Sequence, residues 1–183
     1  MKVADQLLKH RVKNSLGNAE KEMIESACFF FIASGGGASI DCSIKSGDTG
    51  FVQVISATEL WWPDYDGNRM YRTLGNIAEN PVVSMLFVDF FTPASEATPD
   101  RPVKLRIIGR ASIDQSREAL TRFYGVKRII KVAVEYVFPN CPRYLPSLEM
   151  KSNSVYTPRP DYVPPTPEWK TRDYIVDIID DDA

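Results

Sequence analysis

The stretch from Leu60 to Phe90, LWWPDYDGNRMYRTLGNIAENPVVSMLFVDF, constrains the chain more than any other. It begins with strand character, breaks at Pro63, passes a polar turn at Asp66, Gly67 and Asn68, and takes helical spacing through Met70, Leu74 and Ile77. Pro81 then restores a strand. The reading is strand, loop, helix, strand. Arg69, Arg72 and Thr73 fall in the helix's first turn, where backbone N–H groups without intrahelical acceptors and the helix dipole favour an anion. A phosphate suits that position.

The flanking segments are mostly short strands. Cys28 to Ala33 is an apolar strand, the turn SGGGAS covers Ser34 to Ser39, and Ile40 to Lys45 returns as the second arm of a hairpin. Phe51 to Ile55 and Glu59 to Trp62 follow, and four strands in close succession predict an antiparallel meander. Val82 to Phe90 is a long apolar strand, and Thr92 to Pro102 is a loop rich in Pro, Ser and Thr. In Val103 to Ile113, Val103, Leu105 and Ile107 point one way, and Lys104 and Arg106 the other. Asp114 or Ser116 caps a helix toward Phe123. Arg128 to Phe138 alternates Ile130, Val132, Val134 and Tyr136 against Lys131 and Glu135. Six or seven strands joined by short helices predict a mainly β (α+β) chain, a closed or partly closed barrel.

With 183 residues the chain suits one domain spanning 1–183. Within it, 1–27 form peripheral helices, Asp5 to Lys13 and Ala19 to Ala27 with Asn18 as N-cap, 28–138 the barrel, and 139–183 an extended tail. Pro158, Pro160, Pro164, Pro165 and Pro167 deny the tail helix and central-strand structure. Trp169, Tyr174, Ile175, Val176 and Ile178 give it apolar content with which to dock. A net charge of −2 argues against nonspecific nucleic-acid binding. Cys28, Cys42 and Cys141 have neither CxxC spacing nor a histidine cluster, which excludes a zinc-site or disulfide pattern. The scattered charges at the amino terminus and the short apolar run Ala27 to Ala33 predict a cytoplasmic chain with no membrane span.

Several features lie outside the chemistry. Gly75, Asn76, Asn80 and Pro81 read as helix stops. Trp61 and Trp62 point to opposite strand faces, so at most one can meet a ligand. Cys141, between two prolines, has no base beside it, and His10 is the single histidine. SGGGAS is a hairpin turn and lacks the strand, GxGxxG and helix context of a dinucleotide fold.

Five segments in order, FFFIAS, DCSIKSG, PDYDGNRMYRTLGNIAENP, LRIIGRA and VFPNCPRY, resemble the pyridoxamine 5'-phosphate oxidase-related, FMN-binding split-barrel family over roughly Glu20 to Tyr144. The resemblance implies a split β-barrel homodimer with FMN in clefts at the subunit interface. It places Lys45 at the flavin ring or phosphate. Asp64 and Asn68 divide between ligand contacts and turn residues. Arg69, Arg72 and Thr73 are implied as the phosphate group, with Lys104 and Arg106 near the pyrimidine end of the ring. The family's first-strand Arg is replaced by the apolar surroundings of Ile40, and the tail lacks the Arg-x-His motif of the vitamin B6 oxidases. The expected activity is hydride transfer between a small organic substrate and flavin, with no single catalytic side chain required. The alternatives are an F420-dependent reductase, a non-catalytic flavin binder and a cofactor-free dimeric interaction module.

Overall fold

The computed structural model describes residue 6 and residues 9–37, 39–98 and 100–176. After helix α1 (Asn18–Ser26) come strands β1 (Phe29–Gly36), β2 (Ser39–Ser46), β3 (Gln53–Ser56) and β4 (Glu59–Asp64). Helix α2 (Arg72–Glu79) leads to β5 (Val82–Val88) and β6 (Lys104–Asp114), and the short helix α3 (Arg117–Leu120) to β7 (Arg128–Pro139). The strands form one antiparallel sheet in the order β2-β1-β5-β6-β7-β4-β3. The sheet curls round a core and ends at β2 and β3, which gives the split barrel expected from the sequence.

The first four strands are not a meander. β1 and β2 form a hairpin, but the β3–β4 pair crosses to the far side of the sheet and hydrogen-bonds to β7. Strand order depends on which apolar faces close the core, and nearness in sequence does not decide it. At the centre, Phe30 stacks on Phe87 and Phe51 and meets Trp62 edge-on, with ring centroids 5.1, 5.8 and 5.2 Å away. Helix α1 closes one end of this core with Met23 and the fully buried Ile24, so it is not peripheral as expected. Its N-cap is Gly17, one residue before Asn18, and the Gly17 amide donates to Glu20 Oε2 at 3.0 Å. The other predicted helix, Asp5 to Lys13, lies partly outside the described residues.

Two strands depart from the expected pattern for identifiable reasons. β4 does not break at Pro63, since Pro63 and Asp64 pair with Ile129 and Arg128 of β7. β3 pairs only as far as Trp61, leaving β4 a free edge beyond it, where proline is tolerated. In β7 the inward residues are Ile130, Val132 and Val134 and then Val137, while Tyr136 is half exposed. The register shifts between Ile108 and Gly109, which pair with Tyr136 and Val134, so Glu135 is an extra residue and the inward phase slips by one. On the partner strand, Lys104 and Arg106 alternate with the fully buried Leu105 and Ile107, as expected.

The tail lies on the barrel, where charged groups help to hold it. Arg159 Nε and Nη2 donate to Asp48 at 2.5 and 2.8 Å, and Asn153 Nδ2 donates to the same carboxylate at 2.9 Å. Leu148 donates its amide to the Phe90 carbonyl at 2.7 Å, whereas Tyr174 stays exposed. Ile178 lies outside the described residues. No helix among the described residues is long and apolar enough to cross a membrane.

Candidate functional site

The split in the barrel is lined with polar side chains. In register, Asp41, Ser43 and Lys45 of β2 sit opposite Ser34, Ile32 and Phe30 of β1. Directly paired residues share a sheet face, and these three β1 residues are buried. Asp41, Ser43 and Lys45 therefore face the barrel interior, while Ile40 and Ile44 on the other face are 84% and 57% exposed. Asp64 continues the inward phase of Leu60 and Trp62 on β4. Between β2, the end of β4 and helix α2 lies a cleft of about 420 Å³, also bordered by Tyr65 and by residues 67–74.

A chain of hydrogen bonds organises one wall. Ser43 Oγ donates to Asp41 Oδ2 at 2.8 Å, Thr73 Oγ1 lies 3.3 Å from Ser43 Oγ, and Arg72 Nε reaches Asp41 Oδ1 at 3.3 Å. On the other wall Asp64 accepts from Arg128 Nε at 3.0 Å. That guanidinium also lies over the Tyr71 ring, 4.8 Å from its centroid. Burial pushes the Asp64 carboxyl above its ordinary range, against the pull of Arg128 and Lys45. Burial likewise holds the Lys45 ammonium below its usual value, opposed by the charges of Asp64 and Asp41.

Helix α2 starts at Arg72, so Thr73 lies in its first turn and Arg69 precedes it, contrary to the expected start. Arg69 and Tyr71 have left-handed backbones, with φ of +55° and +51°. Non-glycine residues in that region each carry a cost of about 1 kcal/mol or more, here in the segment that bends round the cleft. The N-cap Tyr71 makes no side-chain capping hydrogen bond, and the first turn holds no acid. The other body helices differ: Ser116 caps α3, and Glu20 reaches back at the start of α1. The start of α2 thus has no side-chain cap, and its residues Arg72 and Thr73, with Arg69 before it, border the cleft.

Six of the eight candidate residues come together here: Lys45, Asp64, Asn68, Arg69, Arg72 and Thr73 all border the cleft. Asn68 Oδ1 accepts the Met70 amide at 3.1 Å, a turn-forming bond. Asp64 is a strand residue paired with Arg128, not a turn former. Arg69 Nε lies 3.5 Å from Asp66 Oδ1, and Lys170 of the tail holds the other oxygen of that carboxylate. Lys104 and Arg106 do not border the cleft. They project from the outer face of β6, where the Arg106 guanidinium lies 5.8 Å from the Phe138 ring centroid.

Sequence reasoning missed Asp41, Ser43, Arg128 and Lys170. The first two carry a readable signal, because D-x-S-x-K alternates polar residues on one strand face. Arg128 and Lys170 reach the site only through long-range pairing. Gly75 and Asn76, expected as helix stops, lie inside α2, where Asn76 Nδ2 donates to Ser34 Oγ at 3.1 Å; the stop is Asn80.

No family model and no curated protein matches the chain. Solved structures do. A candidate pyridoxamine 5'-phosphate oxidase from Lactobacillus delbrueckii superposes with a TM-score of 0.51 at 14% identity, over 69% of this chain and 95% of that one. HupZ of Group A Streptococcus, as its H111A variant, gives 0.48 at 17% identity over 68% and 98%. An FMN-binding protein from Syntrophomonas wolfei gives 0.48 at 11% identity over 75% and 89%. The Lactobacillus likeness and the strand order together show that this chain has the pyridoxamine 5'-phosphate oxidase-like split-barrel fold.

Proposed function

We propose that the chain binds FMN in this cleft and works as a flavin-dependent oxidoreductase on a small organic substrate. The observation that carries the reading is the start of α2, which has no side-chain cap and opens onto a cleft bordered by Arg69, Arg72 and Thr73. A phosphate monoester carries about −1.5 to −2 charge and three acceptor oxygens. The donors fit it: two guanidiniums, an ammonium and hydroxyls stand beside helix amides, and the cleft residues with their direct partners comprise four cations (Lys45, Arg69, Arg72, Arg128) against three carboxylates (Asp41, Asp64, Asp66). Arg72 and Arg69 would hold the phosphate, Thr73 and Ser43 would complete its hydrogen bonds, and Lys45 would place positive charge deeper in the cleft. FMN, when bound, would supply hydride transfer to or from the substrate.

The proposal includes a homodimer. Edge strand β2 presents Ile40, Cys42 and Ile44 outward, which suits a second copy. Any role for Lys104 and Arg106 at the flavin requires that copy, since they lie on the outer face. Cytoplasmic residence fits the three free cysteines, which stay reduced there.

The test is an FMN titration of Arg72→Ala and Arg69→Ala, made separately. At least one variant should lose about 1.5 to 3 kcal/mol of binding, the worth of a charged hydrogen bond. Unchanged affinity in both would remove the phosphate assignment. Flavin absorbance in the purified protein would separate this reading from a cofactor-free module, and bleaching by NADH or NADPH would separate an enzyme from a passive binder.

A further inference from the structure

The carboxylate of Asp66 is shared. One oxygen lies 3.5 Å from Arg69 Nε, and the other accepts from Lys170 of the tail. Both basic side chains are only 22% exposed, so neither pair is fully screened by solvent. The tail delivers Lys170 in a defined position. Arg159 and Asn153 tie it to Asp48, Pro158 packs against Gly125, Thr157 is buried, and the Tyr162 hydroxyl closes a loop onto the Val155 carbonyl at 2.8 Å. Between Arg159 and Lys170 stand Pro160, Pro164, Pro165 and Pro167, which fix φ and stiffen the span. Little backbone entropy is then lost in bringing Lys170 to Asp66.

We propose that the tail is a positioning strap for the cleft: Lys170 occupies Asp66 and so sets how much of the Arg69 charge faces a bound phosphate. The proposal rests on the anion-binding reading of the cleft. A carboxylate divided between two cations neutralises each only in part. Without Lys170, the whole Asp66 charge falls on Arg69, whose planar fork can turn to it bidentately and away from the cleft. Lys170 is therefore a positioning residue that acts through Asp66 and Arg69, with no contact to the ligand required.

The experiment uses the full chain and the variants K170M, D66N and K170M/D66N. FMN affinity is read by quenching of flavin fluorescence. The Arg69 Nε–Hε resonance is followed in ligand-free protein. K170M should weaken FMN about two- to fivefold, the range of a partly exposed ion pair, and should move the Arg69 resonance before any ligand is added. In the D66N background K170M should cost nothing further. An equal loss in both backgrounds would mean that Lys170 acts directly through its field, and an unmoved Arg69 resonance would mean that Asp66 does not relay the change. Either result overturns the strap. If the wild-type chain binds no FMN but K170M still moves the Arg69 resonance, the flavin reading fails while the strap's hold on Arg69 stands. R159A, which releases the other anchor, should shift FMN affinity and the Arg69 resonance in the same direction as K170M.

Discussion

Truncating Phe30 to alanine tests whether the barrel has one shared core. Phe30 is fully buried on β1, with Phe87, Trp62 and Phe51 at 5.1, 5.2 and 5.8 Å between ring centroids. Removing a buried Phe side chain costs about 3 to 5 kcal/mol from lost transfer energy and the cavity left behind. Three aromatic partners, each worth about 0.5 to 1.5 kcal/mol beyond burial, put this site at the top of that range. The neighbours belong to β4, β5 and the segment before β3, which hold one another in place, so collapse into the cavity should be limited. A loss of about 5 kcal/mol is a large part of the roughly 5 to 15 kcal/mol that stabilises a typical domain. Urea unfolding followed by tryptophan emission is the assay, since Trp62 meets the Phe30 ring edge-on. The urea midpoint should fall steeply with an unchanged slope. Phe30→Leu, which keeps most of the volume, should cost about 1.5 kcal/mol or less. A loss under about 2 kcal/mol for Phe30→Ala, below the usual range for such truncations, would refute the shared core.

Two further outcomes are expected. At Gly109 an added Cβ would lie 2.3 Å from the Ala133 carbonyl oxygen and 2.8 Å from Val132 Cγ1, so Gly109→Ala should destabilise by about 1 to 3 kcal/mol; denaturation that leaves the midpoint unchanged would show that the β6–β7 bulge has room to spare. Asp114 is held at about 2 by hydrogen bonds from Lys131 and Ser116, so its contribution to stability is present above its ordinary value and is lost as the pH falls through about 2. Carboxyl carbon NMR should show this low midpoint, and Lys131→Met should raise it.

Much of the fold was legible because its local signals agree. The alternation in β6, the capping serine before α3 and the apolar β1 and β5 each follow from period and turn chemistry. What escaped was set at a distance. Pro63 looked like a strand end, and only the early end of β3 explains how it is tolerated. Tyr136 shares the phase of Val134 in sequence, but a bulge against Gly109 turns it outward. At the cleft, Arg72 and Thr73 were placed by the expected helix start, Arg69 borders the cleft although it precedes the helix it was read into, and Arg128 and Lys170 come from strand pairing and tail docking.

The seam also explains why polar residues occupy positions that elsewhere hold the core. Each inward residue of an interior strand is covered by the opposite wall of the barrel, but β2 ends the sheet, and its inward positions look into a gap. Filling that gap with apolar side chains would tend to close it. Asp41, Ser43 and Lys45 stand there instead, with Ser43 donating to Asp41 and the Asp41 charge acting on Lys45. Arg72 pairs with Asp41 and Arg69 with Asp66, so each guanidinium has a carboxylate beside it in the ligand-free chain. If the cleft takes an anion as proposed, that anion would exchange partners with carboxylates and order fewer freely rotating side chains, which would limit the entropy cost of binding. On this reading the carboxylates weaken anion binding by competing for the cations and strengthen it by pre-organising them. Asp41→Asn separates the two effects: it removes the competing charge and keeps a hydrogen-bond acceptor for Arg72. If pre-organisation dominates, phosphate affinity holds steady or rises in Asp41→Asn and falls in Asp41→Ala; equal gains in both variants would show that competition is all the carboxylate contributes.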